Sequence, residues 1–321
     1  MNTRIRKIVE NIKNSPAYRG KLLMQEPMSL HTTMKAGGCA SVFAEPEDCA
    51  SLAVLAAACR EGGADFFILG GGSNLIVSDS GFDGVIVSMN AFSSVELKDG
   101  NVVCGAGAQT GDVVRFFAEN GIPGMEPFAG LPGTCGGACF MNARCYAADI
   151  SSRISSAEYL DVEKIGSNAC TFLEQHLKMY HNADNGADWS YKKSPFMGGS
   201  KIITKVIFKA GQPDPSKKPL IQAECERFIQ DREAKGHFKA PSSGSIFKNS
   251  RDFGCPSGVL IDRAGLKGMR IGGAQIAPWH GNIIINTGNA TCADIQALVR
   301  LAQEKVREQT GFLLECEVIF L

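Results

Sequence analysis

Three consecutive glycines, Gly70, Gly71 and Gly72, stand between two apolar runs in "FFILGGGSNLIVS". The flanking runs, 66–69 and 75–78, have the length and composition of strands. Regular structure does not pass easily through three residues that lack Cβ atoms, so the segment must be a tight turn between strands. It is either a turn and nothing more, or a place where backbone N–H groups approach a phosphate closely, with Ser73 and Asn74 as further donors. No Gly-Lys-Ser/Thr follows, which excludes the nucleoside-triphosphate loop. The next element reads as a strand, not a helix, which excludes the dinucleotide fingerprint.

A second glycine set lies in "GLPGTCGGACFMNA", with Gly130, Pro132, Gly133, Gly136 and Gly137 ahead of a small-residue helix start. The N-terminus of such a helix is a potential anion site. Two glycine-rich turns in one domain suit a ligand with two linked phosphates; two unrelated turns remain the alternative.

The rest of the chain narrows the partner class. Its 321 residues are too many for one compact core and point to two or three domains. The formal net charge is zero, a poor basis for nucleic-acid binding, which depends on phosphate neutralisation. Twelve cysteines are scattered with no Cys-x-x-Cys pair and no zinc spacing, so no metal is expected. They read as small apolar core residues of a reducing cytoplasm. The N-terminus lacks the apolar segment of a secretory signal, and the longest apolar run, 50–59, is too short to span a bilayer.

Local patterns place the elements. Residues 1–24 read as a charged helical leader. "SVFAE", "FFIL" and "GVIVSM" read as strands, and "PEDCASLAVLAAACREGG" reads as a helix. Asp99-Gly100 marks a hairpin. "HNADNGAD" reads as a polar loop, and the Gly/Pro/charge-rich "GQPDPSKKP" as a domain boundary. A long helix over "CADIQALVRLAQEKVREQ" has Thr291 as N-cap and Gly311 as its stop. "LLECEVIFL" reads as the final strand. The expected division is therefore a leader (1–24), a domain over 25–212 with subdomains 25–93 and 94–212, and a C-terminal domain over 213–321.

Two stretches resist assignment by pattern alone. In "PSSGSIFKN", 241–249, Ser245 reads by default as a turn serine. In "LLECEV", Glu315 and Glu317 share one strand face, and the pattern does not choose between them.

In order along the chain, "LGGGSNLIVSDSGFDGVIV", "AGLPGTCGGACFMNA", "WSYKKSPF", "PSSGSIFKN", "LIDRAGLKGMRIGGAQIAPWHGNIIINTGNATCADI" and "LLECEV" resemble the UDP-N-acetylenolpyruvoylglucosamine reductases. The resemblance runs from His31 to Phe320. It implies an α+β architecture: a vanillyl-alcohol-oxidase/PCMH-type FAD-binding fold of two α+β subdomains plus a C-terminal α+β substrate-binding domain. It implies FAD and NADPH as cofactors, a UDP-sugar as the small-molecule substrate, a role in peptidoglycan synthesis, a cytoplasmic location, a monomer, and no nucleic-acid or membrane partner. By the same resemblance FAD is held by Gly70, Gly71, Gly72, Ser73, Asn74, Gly130, Pro132, Gly133, Thr134, Gly136, Gly137 and Ile154. Ser245 matches the proton donor, Glu317 the catalytic glutamate, and Lys192 a position usually held by arginine. Tyr191, Lys192, Arg232, Asn249 and His280 match substrate-contacting positions, and Lys248 is expected beside Asn249 to flank the anion.

Three departures from the family pattern bear on activity. Lys192 keeps the charge of the usual arginine without its bidentate fork, and Lys193 stands next to it. Arg144 and Ala147 replace glycines, which predicts strain if either backbone needs positive φ; Arg144 is alternatively a new anion contact. Lys235, Gly236 and His237 stand in place of a Gln-Pro pair. These changes leave two other readings open, a same-fold FAD oxidoreductase with another substrate and an inactive nucleotide-binding relative.

Overall fold

The apolar residues segregate into two cores, and these coincide with two compact units of the chain. The computed structural model describes residues 2–166 and 173–321. One unit comprises 1–25, 41–71 and 83–229, the other 26–40, 72–82 and 230–321. The division is discontinuous, unlike the continuous 25–212 and 213–321 segmentation expected from linker composition, and it falls inside the glycine loop, between Gly71 and Gly72.

The first unit is built on two sheets. One has the strand order Gly20–Pro27, Cys39–Pro46, Phe82–Ser88, Phe66–Leu69, with Phe66–Leu69 parallel to Phe82–Ser88. The helix Cys49–Gly62 connects two of these strands. Asp48 caps its start by accepting from Ser51 N–H, and Gly63, in the left-handed region, ends it. The leader differs from the sequence reading. Its helix ends at Asn14, ahead of Pro16, and Gly20 opens a strand that joins this sheet. The second sheet is antiparallel, in the order Leu177–His181, Ile154–Asp161, Lys201–Lys209, Asn101–Gly105, Val95–Lys98. Asp99 and Gly100 both have positive φ, as the favoured two-residue hairpin turn requires. The 181–188 segment, read as a loop, forms short helical turns after the strand Leu177–His181.

In the second unit an antiparallel sheet, Ser242–Ser245, Ile283–Asn286, Ala274–Ile276, Arg270–Ile271, packs with the long helix Cys292–Thr310 around Ile246, Phe247, Ile284 and Leu298. That helix carries the expected Thr291 cap, completed as a capping box by Asp294, and ends at Gly311 with φ 76°. Asp79 adds a second cap from afar, accepting from Cys292 N–H (2.7 Å) and Ala293 N–H (3.0 Å).

The final segment is not one continuous strand. Cys316 bridges antiparallel to Phe247, and then Ile319–Phe320 pairs parallel with Leu75–Ile76. One short run thus changes partners, from the "PSSGSIFKN" stretch to the strand that follows the glycine loop.

Candidate active site

In the first unit the two glycine loops lie backbone against backbone. A Cβ on Gly71 would come within 2.5 Å of Gly133 Cα, and one on Gly70 within 2.4 Å of Thr134 Oγ1. Gly130 and Gly133 hold φ values of 71° and 100°. The result is a seam of glycine backbone with the small Thr134 side chain beside it, which is the kind of surface that admits a diphosphate. The seam fits FAD.

The helix that follows does not act as the sequence suggested. Cys135–Phe140 is only six residues long. Its first N–H groups are already taken: Cys135 donates to Ala108 O (2.8 Å), Gly136 to Ala106 O (2.8 Å) and Gly137 to Thr134 Oγ1 (3.3 Å). Gly136 earns its place by close approach, because a Cβ there would lie 2.7 Å from Ala106 Cβ. Beneath the loop, Cys135 and Cys139 are fully buried, and burial pushes both thiols well above their ordinary range, so they behave as apolar residues. Ile154 begins a central strand with its side chain buried and its carbonyl accepting from Asn182 Nδ2 (3.1 Å).

The second unit holds the end of the loop together with Ser245 and Glu317. A Cβ on Gly72, which has φ 60°, would lie 2.0 Å from His31 O. Asn74 Nδ2 donates to Glu317 O (3.1 Å), and Asn74 O accepts from Ile319 N–H (3.0 Å). Glu317 N–H in turn donates to Ile246 O (2.7 Å), next to Ser245. Hydrogen bonds therefore run from the end of the glycine loop, through the Asn74 side chain and the Glu317 backbone, to the serine segment.

Ser245 is not in a simple turn. The register runs Ser242↔Ile285 and then Ser245↔Ile283, so one extra residue is inserted and the strand is bulged. Gly244, at φ 68°, supplies the left-handed residue that such a bulge uses. Bulges re-aim the neighbouring side chain, here the half-buried Ser245.

The two glutamates that pattern could not separate are distinct in the structure. Glu315 is 74% exposed and ion-paired with Lys248, whereas Glu317 is half-buried. Lys248, expected from the sequence to flank an anion with Asn249, is paired here with Glu315. Asn249 Oδ1 accepts from Ser257 N–H (2.8 Å) at the start of the helix Ser257–Arg263.

Tyr191 and Lys192 form the tip of a two-residue turn closed by reciprocal Ser190/Lys193 bonds of 3.2 and 3.0 Å. Lys192 sits at φ 56°, its ammonium 5.9 Å from the Tyr191 ring. Of the two replaced glycines, Arg144 is in a short strand and bonded to Asp149 (2.8 Å), so it is neither strained nor a free anion contact. Ala147 is different: with Tyr146 it makes the two-residue turn of that hairpin at φ 71°. A left-handed backbone costs a Cβ-bearing residue about 1–2 kcal/mol. Ala147→Gly should therefore raise stability by about 1 kcal/mol, measured as a higher urea midpoint at unchanged slope.

Lys235-Gly236-His237 proves to be a helix stop. Gly236, at φ 78°, donates to Glu233 O (2.9 Å), and His237 N–H donates to Arg232 O (3.0 Å), ending the helix Lys218–Ala234. Arg232 is buried in the last turn, and the His237 and His280 rings lie 6.0 Å apart. Burial, followed by Arg232, His280 and Lys235, pushes His237 down to about 4, against a smaller opposing effect of Asp231. His237 is thus neutral in the fold, and the unfolded chain takes up its proton first as pH falls. Stability should be full above pH 6.5 and fall towards pH 4, by about 1–2 kcal/mol once solvent screening of this half-buried ring is allowed for. Urea midpoints against pH should be flatter across that window in His237→Gln; an identical slope would contradict the assignment.

The fold and site define a FAD-dependent oxidoreductase of the vanillyl-alcohol-oxidase class. Residues 40–163 match a family model described as FAD binding domain, and 236–321 match the C-terminal domain of UDP-N-acetylenolpyruvoylglucosamine reductase. The chain is 40% identical to the UDP-N-acetylenolpyruvoylglucosamine reductase of Treponema denticola, with 96% of each chain covered, and 36% identical to that of Treponema pallidum, with 92% of each. The crystal structure of the Thermus caldophilus enzyme superposes with a TM-score of 0.74 at 29% identity, over 94% of this chain and 99% of that one. The chain belongs to the UDP-N-acetylenolpyruvoylglucosamine reductase family.

The sequence reading missed the bulge at Gly244 and the two bonds between the Asn282 amide and the Phe247 backbone. The signal for the first was a glycine inside a strand pattern. The second had no local signal. Among the described residues no His/Cys/Asp/Glu group could hold a metal ion, and no helix is long and apolar enough to cross a membrane.

Proposed function

We propose that the chain reduces the enolpyruvyl group of UDP-N-acetylglucosamine enolpyruvate to UDP-N-acetylmuramate, with NADPH as reductant, in peptidoglycan synthesis. One hydride equivalent from NADPH ends on the methylene carbon, making it a methyl; one proton joins the adjacent carbon, and NADP⁺ leaves. Bound FAD supplies the two-electron relay between NADPH and substrate. The loops at Gly70–Asn74 and Gly130–Thr134 would hold its diphosphate, with Gly136 and Gly137 permitting the close packing beneath and Ile154 lining the cofactor side.

Ser245 Oγ gives its proton to the carbon beside the substrate carboxylate. A serine hydroxyl is a weak acid and serves only a strongly basic carbanion or enolate. Glu317 acts on the same substrate group. Lys192, beside Tyr191, meets the developing negative charge as a point cation in place of a guanidinium fork. Arg232, Asn249 and His280 bind the rest of the substrate. The amide of Asn249 would meet an anion through Nδ2, its donor, while Oδ1 accepts from Ser257 N–H.

One observation carries this reading: the chain of bonds from Asn74 through Glu317 to Ile246, beside Ser245. It explains why a proton donor, a carboxylate and the end of a cofactor loop from distant parts of the sequence share one unit. The test is spectroscopic. Purified protein should show a flavin spectrum, and NADPH oxidation should depend on the enolpyruvyl UDP-sugar and yield the lactyl ether by mass. Flavin-loaded protein that oxidises NADPH no faster with that sugar present would sink the proposal.

A further inference from the structure

We infer that Asn282 is a positioning residue for Ser245, acting through a carboxamide clamp on the backbone of Phe247. The inference rests on the role proposed above for Ser245. Asn282 is 3% exposed. Its Oδ1 accepts from Phe247 N–H (2.8 Å), and its Nδ2 donates to Phe247 O (2.8 Å). Its own carbonyl accepts from Ile246 N–H (2.9 Å).

The reason lies in the ladder. Ser245 pairs with Ile283, the first residue of the strand Ile283–Asn286. Beyond that register the partner strand ends, and Ile246 and Phe247 would lose their neighbour on that side. The amide of Asn282 takes over, presenting one donor and one acceptor as a peptide unit does. On the opposite side, Glu317 N–H donates to Ile246 O (2.7 Å), and Lys248 N–H donates to Glu315 O (2.9 Å). Ile246 and Phe247 are both buried, at 0% and 2% exposure, so neither side chain can turn outward to let the segment shift. The residue after Ser245 is therefore held from two sides, which fixes the backbone that carries the hydroxyl beyond the bulge at Gly244.

Asn282 is itself fixed. Its N–H donates to His280 Nδ1 (3.1 Å), which requires that nitrogen to be unprotonated and places the ring proton on Nε2. Burial, with Lys235 and Lys267 nearby, lowers the basicity of His280 and favours this neutral form. The clamp needs one donor and one acceptor together: aspartate offers two acceptors and no donor, and leucine offers neither. Asn286 at the far end of the same strand is a natural control. Its amide also makes several bonds, but to Met34 O, Lys35 O, Gly288 N–H and Ala290 N–H, none of them in the serine segment.

The experiment uses the flavin-loaded protein in four variants, Asn282→Asp, Asn282→Ser, Asn286→Asp and Ser245→Ala. Flavin reduction by NADPH and flavin reoxidation by the enolpyruvyl UDP-sugar are timed separately without oxygen, and amide hydrogen exchange is followed in a peptide spanning 243–249. Asn282→Asp should leave the NADPH step unchanged and slow reoxidation at saturating sugar by about a hundredfold, the scale of an ångström-sized misplacement. Exchange at Ile246 and Phe247 should quicken. Asn282→Ser, a milder change in case the aspartate does not fold, should shift both readouts in the same direction. Asn286→Asp should leave both flavin steps alike.

The inference is overturned if the Asn282 variants reoxidise at the wild-type rate beside a slow Ser245→Ala, or if they slow both steps equally. Wild-type turnover by Ser245→Ala overturns the proton-donor reading, and this inference with it.

Discussion

Ser245→Ala should leave flavin reduction by NADPH at the wild-type rate while slowing reoxidation by the enolpyruvyl UDP-sugar about 10²–10⁴-fold, the usual contribution of a positioned proton donor. The asymmetry follows from the chemistry: the NADPH step needs no proton at the substrate carbon, and the substrate step does. Affinity for the sugar should change little, because one hydroxyl contributes only a fraction of its binding. Stability should also hold, since Ser245 is only half-buried and the segment is fixed through the backbone of its neighbours. Stopped-flow absorbance separates the two steps directly. If Ser245→Ala is as fast as wild type in reoxidation, the proton comes from elsewhere, with Glu317 the next group to change.

The second large effect is expected at Gly71. An alanine Cβ there would stand 2.5 Å from Gly133 Cα and 3.2 Å from Gly133 C, both backbone atoms that cannot swing aside. The two loops would have to separate. Forcing a methyl group into a closed contact costs about 1–3 kcal/mol. Where that strain falls on the cofactor-holding conformation, it weakens FAD by about ten- to a hundredfold. Gly71→Ala should therefore purify largely without flavin and take it up poorly, as read from the ratio of visible to ultraviolet absorbance. Gly111→Ala is the control: no atom lies within 4 Å of its added Cβ, and FAD content should be unchanged. Full flavin in Gly71→Ala would mean that the loop contact is not needed for the cofactor.

Several site features were legible because they are local. Gly70–Gly72 and Gly130–Gly133 announced backbone in close approach, and it is there: Gly70 and Gly71 lie against Thr134 and Gly133, and Gly72 against His31. Asp99-Gly100 specified its hairpin through φ alone, and Thr291 with Gly311 bounded a helix by cap chemistry. The motif order from His31 to Phe320 carried the family, as the relatives' identities show.

Other features depended on residues far away. The N–H groups of Cys135 and Gly136 looked like anion donors in sequence, but Ala108 and Ala106 fill them. Lys248 looked like a partner for substrate and is instead paired with Glu315. Arg144 was suspected of strain, yet the positive φ fell on Tyr146 and Ala147, because the pairing of Arg144 with Asp149 sets which two residues turn.

By itself the sequence determined where several turns fall, where the long helix Cys292–Thr310 begins and stops, and which residue types stand ready for proton and charge chemistry, because φ preferences and caps act within a few residues. Tertiary structure alone decided which of those groups remained available. Glu317 is tied to Asn74, and Phe247, two residues after Ser245, to Asn282, by hydrogen bonds that close loops of chain. A donor or acceptor is satisfied by whatever the fold brings within about 3 Å, and no local pattern encodes that neighbour.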